Sequence, residues 1–130
     1  MPADPLASLA RLRRLQTGLA RQRLAEQAAR VGAAEARTAA ADLALHAERG
    51  AGDVADFGAW VARGLAERDR ARIGLRLTEA RAAEARDGLV AARTAERALE
   101  VLREARATAL AKRLVRRADR ALDDRAAQRH

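Results

Sequence analysis

The sequence predicts an all-α fold: an antiparallel two-helix coiled-coil hairpin with a C-terminal helical overhang. Three observations predict it. The first is composition. Among 130 residues only 2% are aromatic, while Ala, Arg, Leu and Glu are in excess. Such a chain can zip two helices along a narrow seam but cannot fill a globular core. The second is spacing. Positions 12, 15, 19, 22, 26, 29, 33, 36, 40, 43 and 47 read Leu, Leu, Leu, Gln, Glu, Ala, Ala, Ala, Ala, Leu and Ala. Positions 61, 64, 68, 71, 75, 78, 82, 85, 89, 92, 96 and 99 read Val, Gly, Arg, Ala, Leu, Thr, Ala, Ala, Leu, Ala, Glu and Leu. Both rows follow the alternating three-and-four step of a supercoiled helix stripe. The third is register. Folded back at Gly52, facing residue numbers sum to 104, which sets Leu12 against Ala92, Leu15 against Leu89, Leu19 against Ala85, Ala29 against Leu75 and Leu43 against Val61.

Asp4-Pro5 opens the first helix, since Asp accepts hydrogen bonds from free N–H groups and Pro suits the first helical position. That helix is expected over 5–49. Gly50-Ala51-Gly52 then forms a turn over 50–53, with glycine suited to a helix C-cap. Asp53 and Asp56 place acidic groups at the positive end of a second helix. No proline follows Pro5, so one helix is expected over 54–126, about 110 Å long against about 65–70 Å for the first. The whole chain, 1–130, reads as one elongated coiled-coil domain.

Because the helices are unequal, the second outruns its partner. In a register of 104, Pro5 faces Leu99, and the overhang covers about 100–126. The stripe continues there through Arg103, Arg106, Leu110, Arg113, Arg117 and Arg120, turning from apolar to arginine where the partner ends. Solubility of an unpaired face and the helix propensity of Arg are one explanation. Leu110, Leu114, Val115 and Leu122 are not needed for that. A long unpaired helix is marginal by itself, so the overhang reads as an element that docks into a partner.

Charge is distributed unevenly. With 26 basic and 18 acidic residues the chain carries +8. Residues 1–30 carry +4, 31–60 carry −3, 61–102 carry +2 and 103–130 carry +5. The expected hairpin is thus acidic at its turn end and basic at its open end, which suits an acidic partner: a protein surface, lipid headgroups or nucleic acid. There is no cysteine, hence no disulfide framework and no thiolate metal site. The longest uncharged stretch is too short for a membrane span, and the N-terminus lacks a secretory apolar core. A cytosolic, soluble protein is expected.

Catalytic, cofactor-binding and metal-binding residues are not expected. There is no phosphate loop, no Ser/His/Asp arrangement and no tyrosine, and the only histidines are His46 and His130. The adjacent Asp123 and Asp124 point about 100° apart on a helix and form no shared proton site. The chain reads as a non-enzyme. Phe57 and Trp60, the only aromatics, lie three residues apart on one helix face. They either plug the turn end against Leu43, Leu45 and Val61 or anchor a partner. A basic coiled coil binding nucleic acid or anionic membrane is the alternative function. Nucleic acid fits poorly, because the arginines alternate with acids and stacking aromatics are missing. A lipid-bound amphipathic helix is weakened by arginines on the stripe.

The layout resembles the FliJ family, the flagellar export stalk proteins related to those of type III injectisomes. Leu6-x-x-Leu9-x-x-Leu12-Arg13-Arg14-Leu15-Gln16 is similar to the family's first helix, and residues 53–60, from Asp53 to Trp60, to its entry into the second. The close, Ala118-Asp119-Arg120-Ala121-Leu122-Asp123-Asp124-Arg125-Ala126-Ala127-Gln128-Arg129, is similar to the family's terminal apolar-Asp-acid-x-Ala signature. Arg125 stands where an apolar residue is usual and Asp124 where Glu is usual. The resemblance implies a stalk in the pore of the hexameric export ATPase, reaching the cytoplasmic domain of the export gate protein and recycling export chaperones. It implies no cofactor and no nucleic acid, and a place at the cytoplasmic face of the inner membrane held through partners. The ATPase contact maps onto Arg103, Arg106, Leu110, Arg113, Leu114, Arg117 and Arg120. The gate contact maps onto Phe57, Trp60 and Leu65.

Overall fold

The computed structural model describes residues 4–47 and 54–129, the side chains of 54–56 excepted. They form two helices, α1 at Pro5–Ala47 (43 residues) and α2 at Val54–Gln128 (75 residues). The fold class is as expected, an all-helical hairpin. Helix α2 ends two residues beyond the expected Ala126, closing with the Arg129 N–H on the Ala126 carbonyl at 3.3 Å. The expected end of α1 at Arg49, the turn over 50–53 and the Asp53–Asp56 cap lie outside what is described. The start of α1 follows its sequence logic. Leu6 N–H donates to Asp4 Oδ1 at 3.0 Å and Ala7 N–H to the Asp4 carbonyl at 3.1 Å, with Pro5 at the position that needs no donor. Such a cap is worth about 1 kcal/mol.

The chain divides into two compact units, one combining Met1–Gln16 with Ala92–His130 and the other spanning Thr17–Ala91. In the second unit both helices bury a row in alternating three-and-four steps. On α1 the row runs through Thr17, Ala20, Leu24, Gln27, Val31, Ala34, Thr38, Ala41 and Leu45; on α2 it runs through Val61, Gly64, Arg68, Ala71, Leu75, Thr78, Ala82, Ala85 and Leu89. A Cβ added to Gly64 would stand 2.5 Å from Leu45 Cδ2, so these two positions face each other. Their numbers sum to 109, and every other facing pair follows. Ala20 meets Leu89, Leu24 meets Ala85, Gln27 meets Ala82, Ala34 meets Leu75 and Thr38 meets Ala71. Apart from Val31 and Thr78, which are of like size, the pairs set a larger side chain against a smaller one, which fills the seam while letting the backbones approach. Threonines in the row satisfy their hydroxyls within their own helix: Thr38 donates to the Ala34 carbonyl at 2.9 Å and Thr78 to that of Leu75 at 2.8 Å. Along one edge Arg72 pairs with Asp42 at 3.7 Å, an exposed contact that contributes little.

The first unit keeps the same register. Ala10 and Leu99, whose numbers also sum to 109, are buried beside each other in one cleft with Arg14, Glu96, Glu100 and Arg103. Arg13 and Glu96 occupy the next facing positions, both half-buried.

The α2 seam is the one its spacing predicts. The α1 seam is not: Leu12, Leu15, Leu19 and Leu43 are 48%, 66%, 57% and 69% exposed. The expected register of 104 is corrected to 109. The reason is volume. Both registers set several large side chains on small ones, but the leucine row also sets Leu15 on Leu89 and Leu43 on Val61, whereas the observed row gives Leu89 the small Ala20 and sets Leu45 on Gly64. The last partly buried residue of α2 is Arg103, so the overhang begins at 104, not at about 100.

Candidate functional site

Every described residue from Glu104 to Arg129 is exposed. This segment belongs wholly to the first unit. It carries eight basic and four acidic residues, a net of +4, and among the described residues no ion pair falls within it. Between 105 and 122 its side chains are sorted by face, while Glu104, Arg125 and Arg129 at its two ends fall on the apolar side. At about 100° per residue, Ala107, Leu110, Ala111, Leu114, Val115, Ala118, Ala121 and Leu122 fall within one arc of about 140°. Arg106, Lys112, Arg113, Arg116, Arg117 and Arg120 occupy the opposite arc. Four large apolar side chains, Leu110, Leu114, Val115 and Leu122, are 56–62% exposed on the first arc.

The expected ATPase-contacting residues therefore separate into three groups. Leu110 and Leu114 belong to the apolar arc. Arg106, Arg113, Arg117 and Arg120 belong to the basic arc. Arg103 is half-buried, and its Nη2 lies 3.7 Å from Asp4 Oδ2. It ties the start of α1 to α2 and marks the end of the paired segment. Where α1 begins, Leu6, Ala107 and Leu110 make the apolar wall of a cleft of about 500 Å³ that Asp4, Arg103, Glu104 and Arg106 complete. The cleft joins the seam to the free apolar arc. Val115 and Leu122, set apart in the sequence as apolar, and Ala118 were not among the residues mapped as contacts. An eleven-residue spacing links Ala107 to Ala118, Leu110 to Ala121 and Ala111 to Leu122. An eleven-residue repeat keeps its stripe on a nearly straight helix, where continuing the seven-residue repeat drifts onto the arginines.

In the second unit, the expected gate-contacting residues come together. The rings of Phe57 and Trp60 stack with centroids 6.2 Å apart and planes 30° apart. With Leu45, His46, Val61, Leu65 and Arg68 they line a cleft of about 290 Å³. Trp60 is half-buried against this group, while Phe57 and Leu65 are 40% and 39% exposed. Leu43, expected beneath the aromatics, faces solvent instead. His46 sits at the cleft with its ring Nδ1 2.7 Å from the Asp42 carbonyl oxygen, the distance of a ring N–H donating to that oxygen. Both readings of the aromatic pair keep a part: Trp60 packs the hairpin and Phe57 remains open.

No family model, curated protein or solved structure matches the chain. Among the described residues no group of His, Asp or Glu is placed to hold a metal ion. No described helix is long and apolar enough to cross a membrane.

Proposed function

We propose that the chain is a non-catalytic docking protein of the kind its family resemblance implies, a stalk component of a flagellar type III export apparatus. The free segment of α2 seats in the pore of the hexameric export ATPase. The Phe57–Trp60 cleft meets the cytoplasmic domain of the export gate protein, export chaperones are further partners, and the chain works at the cytoplasmic face of the inner membrane through these contacts.

The observation that carries this reading is an exposed helix bearing four large apolar residues on one arc and arginines on the other. Burying each of those side chains is worth about 1.5–3 kcal/mol, enough together to order a segment of marginal intrinsic stability. The basic arc steers it toward an acidic surface. Such a protein acts by binding one conformation of its partner better than another. In a titration against the hexameric ATPase, Arg113→Glu, Arg117→Glu and Arg120→Glu combined, or Leu114→Glu with Leu122→Glu, should weaken association at least about a hundredfold and leave helix content unchanged. Unaltered binding by both variants would refute the assignment.

The sorted arcs favour a second reading. Up to Leu122 the arginines flank the apolar face, as suits a helix lying on anionic lipid, and only Arg125 and Arg129 beyond it fall on that face. Sedimentation with acidic vesicles at physiological salt separates the two. Tight vesicle binding together with no ATPase binding would replace the first reading with this one.

A further inference from the structure

The paired segment of the first unit has two unlike sides. One side carries Arg14 and Glu100 in a shared cleft, with Arg97 bonded to Glu100 at 3.0 Å. The other side begins past the seam and wraps onto the outer surface of both helices. It takes in positions 5, 8, 9, 12, 15 and 16 of α1, and 94, 95, 98, 101, 102, 105, 108 and 109 of α2. None of these fourteen residues is charged. Charged residues make up 34% of the chain, so about five would be expected. Leu9, Leu12, Leu15, Val101 and Leu102 stand exposed on this face, while the seam beside them buries Ala10 and Leu99. The unit hides small side chains and presents large ones.

We infer that this uncharged face is a self-association surface, on which a second copy of the chain packs about a two-fold axis running along the helices. Three arguments select that occupant. The face carries no charge to attract an acidic or basic partner, and it lets two chains of net charge +8 meet without opposing like charges. The overhang, at +4, has no such freedom. The face is also complementary to itself. Its leucines cluster on α1 and its alanines on α2, and the two-fold lays each α1 over the other copy's α2. By the register, Leu12 then stands over Ala95 and Ala98 of the second copy, and Leu9 between Ala98 and Leu102. Large over small repeats between copies the rule that packs the seam within each. Finally, the area suits a reversible dimer. Positions 5–16 of α1 overlie the second copy's α2 for about 18 Å, and two helices are about 20 Å wide. Contact then covers about 700 Å² in total, the size of a weak, concentration-dependent association. The product is an antiparallel four-helix bundle. It uses none of the overhang's apolar arc and does not depend on what that arc binds.

Sedimentation equilibrium from micromolar to hundred-micromolar concentration tests it. The expected mass is twice 14.0 kDa. Leu12→Glu, a change at an exposed position, should raise the dimer dissociation constant by about a hundredfold or more with helix content retained. Leu114→Glu should leave the dimer intact even where it abolishes ATPase binding, which separates this interface from the overhang. Because the chain has no cysteine, a Leu12→Cys/Ala98→Cys double variant should give covalent dimers on mild oxidation, and this decides the matter should Leu12→Glu misfold. A 14.0 kDa species throughout the range, an undiminished Leu12→Glu dimer, a dimer lost through Leu114→Glu, or absence of covalent dimers would each overturn the proposal.

Discussion

Replacing Gly18, Gly32, Gly74 and Gly88 together by alanine should stabilise the chain by about 2–4 kcal/mol, or roughly 10 °C in Tm. All four lie inside helices, and a Cβ added at any of them meets nothing within 4 Å. Each glycine loses more backbone freedom on folding than alanine would, without a close contact in return. The four sites are well separated along their helices, so their contributions should add. Gly64 is the internal control. There the added Cβ would reach Leu45 at 2.5 Å, so Gly64→Ala must displace that side chain and should gain less than any of the four. Thermal and denaturant unfolding measure the difference. A fourfold variant no more stable than the parent would mean that the helices are not continuous through these positions.

At concentrations low enough to keep the chain monomeric, Leu99→Ala should cost about 2–3 kcal/mol, while Leu15→Ala should stay within about 0.5 kcal/mol of the parent. Leu99 is 7% exposed and Leu15 66%. Truncating Leu99 opens a gap against Ala10, itself too small to fill it. Truncating Leu15 removes a side chain that already faces water. The contrast discriminates between registers, because with facing numbers summing to 104 Leu15 would be a core residue set against Leu89. Equal losses at the two positions, measured by denaturant unfolding with unchanged slope, would restore that arrangement.

Leucine spacing was sufficient for one helix and misleading for the other. In α2 the apolar row and the buried row coincide, and the helix class, the Asp4-Pro5 start and the uninterrupted length of α2 follow from the chain itself. In α1 two rows compete. Leu12, Leu15 and Leu19 make the more hydrophobic one, yet Ala10, Thr17, Ala20 and Leu24 face the partner. The discriminating property is relational and lies at Leu89, where Ala20 is small and Leu15 would be large; at Ala85, Leu24 and Leu19 would serve alike. It appears only when the helices are read as a pair, since packing density, not hydrophobicity alone, chooses among seams. The misplaced leucines are informative in turn, because Leu12 and Leu15 belong to the uncharged outer face. At the overhang, the arginines and the apolar Leu110, Leu114, Val115 and Leu122 were legible, but the gathering of those four on one arc was not. A seven-residue repeat carried past Arg103 selects Arg106, Arg113 and Arg120, but without a partner nothing holds the helix to that period. Phe57 and Trp60 were found as a pair from their spacing, whereas the contribution of His46 and Arg68 to their cleft required the fold.

The central claim is that α1 runs along α2 only as far as Arg103, so that the remainder of α2 is free for a partner. Intramolecular disulfide formation tests it most directly, in a chain that has no cysteine of its own. An Ala10→Cys/Leu99→Cys variant should close its bridge within one chain on mild oxidation, and a Leu12→Cys/Ala92→Cys variant should form none within the chain. The reverse outcome, a bridge at 12 and 92 with none at 10 and 99, would shift the register back to 104 and contradict the account.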